Sequence, residues 1–242
     1  QDEKFKQIVQ NIFQNMKIAL FGATGFVGTY IVDNLVEHGH EPTVLVRENS
    51  EGKLSQPGKC RIVTGDIHNE QAINETILGA ECVIYNIGII RQFPKQGITF
   101  EELHVQGAKR TIDAAKIQDI KRFILMSANG VRPKGTDYQR TKYKAEMYLK
   151  KSKLNWTIFR PSLVFGSPRG KIEFCTQLRD DMINLPVPAP LFHSGLLPFH
   201  AGQFKMSPVH VKNVAEIFTK SIDDPSTFGE CYHLGGPQDL SW

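Results

Sequence analysis

The sequence predicts an α/β fold: a doubly wound parallel sheet with helices on both faces and a small C-terminal lobe. Six short apolar runs of strand length alternate with longer segments of helical periodicity. Such strict alternation is typical of a parallel sheet that helices cover on both sides. The first apolar run, residues 17–21, passes directly into a glycine-rich turn and then a helix, which is how nucleotide-binding βαβ units begin.

The order of the elements follows from apolar runs, helical spacing and turn residues. After the first strand, the predicted strands are residues 42–46, 60–64, 82–86, 122–126 and 156–159. The predicted helices are 26–38, 69–78, 101–117 and 138–152. Gly39 is placed to act as the C-cap of the first helix, and Arg160 and Pro161 are predicted to end the sixth strand.

The regular alternation breaks after Pro161. A helix is predicted around 170–182, followed by an irregular apolar run over 185–199 whose prolines preclude a regular helix. A helix at 211–222 and a strand near 231–234 are expected to return the chain to the sheet. The 185–199 run is a candidate surface for a protein partner.

Three regions are therefore expected. Residues 1–15 form an N-terminal extension with apolar residues on one helical face, and it is either irrelevant to the fold or a helix that docks on the domain or a partner. Residues 16–166 form the nucleotide-binding core. Residues 167–242 form a small substrate or partner lobe over the strand ends, where doubly wound sheets bind ligands.

Composition excludes several classes of protein. The 242 residues are 40% hydrophobic and 22% charged, which is ordinary for a globular protein. The formal charge of +4 comes from scattered lysines and arginines, so nucleic-acid binding has little support. No apolar run approaches the ~20 residues of a membrane span, and no secretory signal is visible. With four widely spaced cysteines and no histidine pattern of metal ligands, we expect a cytoplasmic protein with reduced thiols and no metal.

The glycines of the first turn have distinct predicted roles. Gly22 allows the tight turn, Gly25 lets the backbone approach a pyrophosphate, and Gly28 lets the helix pack close to the strand. The free N–H groups and positive dipole end at the start of this helix also suit a phosphate.

Arg47 ends the second predicted strand, where dinucleotide folds often carry an acidic residue for the ribose 2′-hydroxyl. A guanidinium pairs instead with a 2′-phosphate, and Lys53 lies nearby, so NADP is favoured over NAD. The adjacent Glu48 leaves NAD as an alternative cofactor. A second alternative is that Arg47 is only a solvated charge at the end of a strand. Asp66 either reaches the adenine or caps the next helix.

A candidate reaction site follows the fifth strand. Tyr138 and Lys142 are four residues apart on a predicted helix, so they share a face, and the ammonium is expected to lower the pKa of the phenol. Alternatively, both are ordinary exposed helix residues. Ser127 is the candidate for polarising a substrate carbonyl, unless it only satisfies backbone groups. Asn129 competes for the same role, because an amide also donates hydrogen bonds.

With these residues placed, the chain resembles the short-chain dehydrogenase/reductase superfamily from Met16 to about Trp242. The similarity is to the atypical branch that contains nucleotide-sugar-epimerase-like proteins and the nucleotide-binding accessory subunit of respiratory complex I. It is carried by the segments 22–28, 65–67, 138–142, 160–166 and 207–211.

The resemblance implies a Rossmann fold with bound NAD(P). It implies cofactor contacts from Gly22, Thr24, Gly25, Phe26, Val27, Arg47, Asp66, Ile67, Tyr138 and Lys142. The segment containing Asn86 and Gly88, and the turn containing Pro161 and Val164, would flank the nicotinamide end.

Three functions are compatible with the sequence. The first is an NADP-dependent oxidoreductase that acts on an unidentified small carbonyl or apolar substrate, with Tyr138 moving the proton. The second is a non-catalytic NADP(H)-binding accessory or assembly factor. It is motivated by Asn129, which stands where active epimerases carry a serine or threonine. The third is a nucleotide-sugar epimerase or dehydratase, although His104 replaces an asparagine of many relatives and no basic cluster suits a substrate diphosphate.

Overall fold

The computed structural model describes residues 15–171, Thr176 and residues 205–241. The expected helix around 170–182, the apolar run over 185–199 and nearly all of the N-terminal extension lie outside the described residues. The strands are β1 (Lys17–Phe21), β2 (Glu41–Val46), β3 (Arg61–Thr64), β4 (Cys82–Tyr85), β5 (Arg122–Met126), β6 (Asn155–Pro161), β7 (Val164–Phe165), β8 (Lys205–Met206), β9 (Val209–His210), β10 (Glu230–Leu234) and β11 (Leu240–Ser241).

Five α-helices occur in this described part of the chain. They are α1 (Phe26–Glu37), α2 (Glu70–Ile77), α3 (Gly107–Ile117), α4 (Asp137–Lys150) and α5 (Val211–Lys220). A π-helical segment, Glu101–Gln106, runs directly into α3. None of the described helices has the length and apolar character that crossing a membrane requires.

Seven of the described strands form one parallel sheet in the order β10-β6-β5-β4-β1-β2-β3. The predicted α/β class with a doubly wound parallel sheet is confirmed. One expectation is wrong, because β6 continues through Arg160 and Pro161, which pair with His233 and Leu234 of β10. Pro161 fits at the end of the strand because it contributes a carbonyl there, which accepts the N–H of Asn129 at 2.9 Å.

The core lies on both faces of the sheet, because successive residues of each strand point to opposite sides. In β1, Ile18 and Leu20 pack with the face that α1 and α5 cover, whereas Ala19 and Phe21 pack with the face that α2, α3 and α4 cover. A strand buried on both faces needs a continuous apolar run, which is why the strands were recognisable in the sequence. Because the strands are parallel, their carboxyl ends lie together at one edge of the sheet.

Arg122, the first residue of β5, fastens the C-terminal part of the described chain to the sheet. Its buried guanidinium donates to the carbonyl oxygens of Ile222 at 3.0 Å, Asn155 at 2.8 Å and Ser221 at 2.5 Å, and to the hydroxyl of Thr227 at 3.0 Å. Two of these carbonyls lie just after α5, at the negative end of its dipole. One side chain therefore fixes where α5 ends.

We expect Arg122→Met to lower the free energy of unfolding by about 3 kcal/mol, because it leaves several buried acceptors without a donor. Urea denaturation measures the loss. Arg61→Met is the matched control, because Arg61 makes an ion pair with Glu75 in which both side chains are 51% exposed. That variant should lose less than about 1 kcal/mol. Equal losses in the two variants would contradict the role given to Arg122.

Candidate nucleotide-binding site

The turn between β1 and α1 requires glycine at two positions for steric reasons. Gly22 has φ +95°, and a Cβ there would lie 2.9 Å from the backbone carbonyl of Asn86. A Cβ on Gly28 would lie 2.0 Å from the Gly22 carbonyl oxygen. At Gly25 a Cβ would meet only that same oxygen, at 3.4 Å, so the outer side of this residue is open. Gly22 and Gly28 shape the turn, and Gly25 leaves room for a ligand.

The start of α1 offers donors for an anion. Gly25 is the N-cap residue, no side chain caps the helix, and its first turn holds no acidic residue. The first N–H groups of a helix have no partner within the helix, and the dipole makes this end positive. Thr24, Phe26 and Val27 flank the opening and are partly buried. The arrangement fits the pyrophosphate of a dinucleotide.

Arg47 and Asp66 stand at the ends of neighbouring strands, as the sequence predicts. Arg47 is exposed after β2 and makes no ion pair within the described residues. Asp66 follows β3 and accepts the N–H of His68 at 2.8 Å, whereas the N-cap of α2 is Asn69. The alternative of Asp66 as a helix cap is therefore wrong. Ile67 is buried beside it.

The loop after β4 lies at the opposite end of the site. Asn86 donates its backbone N–H to Phe21 at 2.9 Å and packs against Gly22. A Cβ on Gly88 would come within 3.2 Å of the Lys142 Nζ atom. The predicted nicotinamide-side residues Asn86 and Gly88 thus lie between the glycine turn and α4.

The turn after β6 lies close to β5. The Pro161 carbonyl is bonded to Asn129, and Val164 begins β7, pairing with Val209. This places Pro161 at the strand ends, next to Asn129.

Lys142 is buried and bonds to backbone rather than to Tyr138. Its ammonium donates to the carbonyl oxygens of Met126 at 3.0 Å and Ile87 at 3.4 Å. Burial lowers its pKa to about 8, and the nearby Glu146 carboxylate acts in the opposite direction. Lys142 therefore joins the ends of β4 and β5 to α4.

Tyr138 lies one turn earlier on α4, in an aromatic cluster. Its ring is nearly perpendicular to those of Phe100 and His104, with centroids 5.5 and 5.3 Å away. Burial raises the pKa of its phenol to about 12. The expectation that Lys142 lowers this pKa is wrong, because the ammonium is turned towards backbone carbonyls and desolvation dominates.

Ser127 and Asn129 are engaged differently at the end of β5. The Ser127 hydroxyl donates to the buried Glu146 carboxylate at 2.5 Å, and Arg160 donates to the same carboxylate at 2.8 and 2.5 Å. Asn129 is exposed, and its side-chain oxygen accepts the Gly130 N–H at 2.9 Å. Ser127 thus serves a buried ionic network, while the Asn129 amide stays at the surface.

Sequence reasoning missed Glu146 and Arg160 as part of this site. Glu146 follows Lys142 by four residues, so helical spacing placed both on one face of α4. Nothing local to Arg160 indicated its carboxylate partner, because β6 and α4 meet only in the folded chain. Within the described residues, no group of three His, Cys, Asp or Glu side chains is arranged to hold a metal ion.

The fold and the open glycine turn define a Rossmann-type nucleotide-binding protein. Residues 22–184 match the family model described as NAD(P)H-binding, and the chain belongs to this family. The chain is 28% identical over 224 residues to the mitochondrial NADH-ubiquinone oxidoreductase 40 kDa subunit of Neurospora crassa, covering 90% of this chain and 55% of that protein. It is 31% identical over 150 residues to a ceramide reductase of Caulobacter vibrioides, covering 62% of this chain and 46% of that protein.

The chain thus spans about half the length of these curated relatives. Among solved structures, it is similar to the Bordetella bronchiseptica enzyme WbmH in complex with NAD+, with a TM-score of 0.76, 18% identity and coverage of 94% of this chain and 78% of that one. At this identity the similarity establishes the shared fold.

The buried ammonium of Lys142 makes stability depend on pH. Its pKa is about 8 in the folded chain and 10.5 for an ordinary lysine, so between these values the unfolded chain binds more protons. Raising the pH through this window therefore stabilises the fold. Lys142→Met removes this contribution. From about pH 7.5 to about pH 9.5, the free energy of unfolding of the wild type should gain about 2 kcal/mol relative to the variant.

Urea denaturation at the two pH values measures this gain. Lys144→Met, which removes an exposed lysine of the same helix, is the control. A Lys142→Met variant whose stability follows the pH in parallel with the wild type would contradict a buried, weakly basic Lys142.

Proposed function

We propose that this chain is a nicotinamide dinucleotide-binding accessory domain, which holds NADP(H) as a bound ligand without turning it over. The observation that carries the proposal is the bond from Ser127 to Glu146. It commits the Ser127 hydroxyl, the candidate for polarising a substrate carbonyl, to a buried carboxylate that Arg160 also holds.

Of the other residues of the expected reaction site, Lys142 is bonded within the protein, Tyr138 packs among aromatic rings, and Asn129 stays at the surface. Hydride transfer to a carbonyl needs a donor to polarise the oxygen and a group to deliver a proton. Tyr138 has a pKa of about 12 among aromatic rings, and Lys142 bonds to backbone carbonyls. These contacts favour a structural use of the residues over proton transfer near neutral pH.

The similarity to a respiratory-enzyme subunit supports a partner protein as well as a nucleotide. The Neurospora relative is named as the 40 kDa subunit of NADH-ubiquinone oxidoreductase, and 90% of this chain aligns with it. An accessory role would use the bound nucleotide to stabilise the domain inside an assembly, since a ligand that binds only the folded state adds to its stability. The run over 185–199 is the proposed surface for such a partner.

We propose NADP(H) rather than NAD(H) because Arg47 stands free of ion pairs, within the described residues, at the end of β2. Arg47→Ala should weaken NADPH binding about tenfold and leave NADH binding within about twofold, since only NADPH carries the 2′-phosphate. Isothermal titration calorimetry measures both affinities. Arg61→Ala, which removes an exposed arginine from β3, is the control. Equal weakening for the two nucleotides would contradict this specificity.

An oxidoreductase is the second candidate. The placing of Tyr138 and Lys142 on α4 beside the Gly88 loop favours it, as does the similarity to a protein named ceramide reductase. In that case the bound nucleotide would supply a hydride, and Tyr138 would donate the proton to the substrate oxygen.

One experiment separates the two candidates. NADPH binding is measured by calorimetry, and consumption of bound NADPH is followed with a panel of aldehydes, ketones, quinones and long-chain acyl ketones. The accessory role predicts one-to-one binding and no consumption above that of a Tyr138→Phe control. Reduction of any panel member by the wild type, lost in Tyr138→Phe, would overturn the accessory role.

A further inference from the structure

The π-helical segment before α3 is held open by a tyrosine hydroxyl. At its end, the Gly107 N–H bonds to the Glu102 carbonyl five residues back, rather than to Leu103. The Tyr85 hydroxyl donates to the Leu103 carbonyl at 2.6 Å. A Cβ on Gly107 would lie 2.4 Å from that hydroxyl oxygen, so only glycine fits. Tyr85 and Gly107 together fix a register that an ordinary α-helix would not have, and such π-helical turns often occur at functional sites.

This register places His104 inside the protein with both ring nitrogens bonded. His104 is 1% exposed. Its Nε2 accepts the Ile89 N–H at 3.2 Å, and its Nδ1 lies 3.1 Å from the Thr141 hydroxyl. Thr141 has a single hydroxyl hydrogen, which is directed to the Asp137 carbonyl at 2.8 Å, so its oxygen accepts from His104. Both contacts require the same neutral tautomer, with the proton on Nδ1.

The two partners of His104 belong to the two sides of the predicted nicotinamide end. Ile89 directly follows Gly88 in the loop after β4, and Thr141 directly precedes Lys142 on α4. Phe100 stacks on the His104 ring at 5.2 Å, with the planes 16° apart. Burial and the nearby Lys142 charge lower the pKa of His104 to about 2, so the ring stays neutral and both bonds persist across the physiological range.

We propose that His104 is a positioning residue that holds the Gly88–Ile89 loop against α4, so that affinity for the nicotinamide half of the nucleotide depends on it. The adenosine half is expected at Arg47 and Asp66, at the ends of β2 and β3, and does not depend on His104. The inference rests on the proposed dinucleotide binding and assigns this task to a residue outside the predicted site.

The test compares a whole nucleotide with its adenosine half. Dissociation constants of NADPH and of 2′,5′-ADP are measured by calorimetry for the wild type, His104→Ala and His104→Gln. His104→Ala leaves the Ile89 N–H without its acceptor, so we expect NADPH affinity to fall roughly tenfold and 2′,5′-ADP affinity to stay within about twofold. In His104→Gln the side-chain carbonyl can accept from Ile89, so the variant should recover most of the NADPH affinity.

If His104→Ala lowers the affinities for NADPH and 2′,5′-ADP by the same factor, the histidine is merely structural and the inference is overturned. Unchanged affinities for both ligands would overturn it as well. Tyr85→Phe provides a second variant, which removes the support of the π-helical register and should shift the ratio in the same direction. If the wild type binds neither ligand, the proposed function itself fails.

A ligand-free measurement keeps the inference testable in that event. Hydrogen–deuterium exchange at the Ile89 amide should be at least about tenfold faster in His104→Ala than in the wild type, while exchange in β1 stays unchanged. Equal protection of the Ile89 amide from exchange in the two proteins would contradict the proposal that His104 holds the loop against α4.

Discussion

The close approach of α1 to the end of β1 is the constraint on which the rest of the site depends. A single methyl group at Gly28 would come within 2.0 Å of the Gly22 carbonyl oxygen, so the helix lies against the turn with no side chain between them. This packing directs the uncapped start of α1 towards the strand ends. It also brings Gly22 against Asn86, which sets the position of the loop after β4. The glycine turn thereby fixes the phosphate end of the site and part of its nicotinamide end.

Polar side chains at the other end of the site bond mainly to the protein itself. Glu146 is fully buried, and its carboxylate accepts hydrogen bonds from the Ser127 hydroxyl and the Arg160 guanidinium. Its charge is therefore compensated inside the fold. Lys142 spans two strand ends through backbone carbonyls, and burial keeps it only weakly basic. Ser127 and Lys142, which could take part in proton chemistry, are thus used to join β4, β5, β6 and α4. This is the physical basis of the proposal that the nucleotide is held rather than consumed.

The fold was predictable because its signals are local. Buried parallel strands need continuous apolar runs, and the turn between β1 and α1 tolerates only particular glycines, so both are visible in a single sequence. The pKa of Tyr138 was not predictable, since spacing on a helix does not reveal that Lys142 bonds elsewhere. The partners of Arg122 lie up to 105 residues away along the chain. The π-helical register depends on Tyr85, which belongs to another element. These features arise from tertiary contacts that no local pattern encodes.

Titration of the Tyr138 phenol in the NADP+-bound protein tests most directly whether the nucleotide is only a bound ligand. Labelling the six tyrosines with carbon-13 at Cζ and comparing the spectrum with that of Tyr138→Phe assigns the resonance. A structural Tyr138 predicts that the pKa stays at about 12, because the partly buried ring still packs against Phe100 and His104 and Lys142 remains on its backbone acceptors. A pKa near neutrality in the nucleotide complex would show a phenol prepared for proton transfer and would contradict a nucleotide bound only as a ligand.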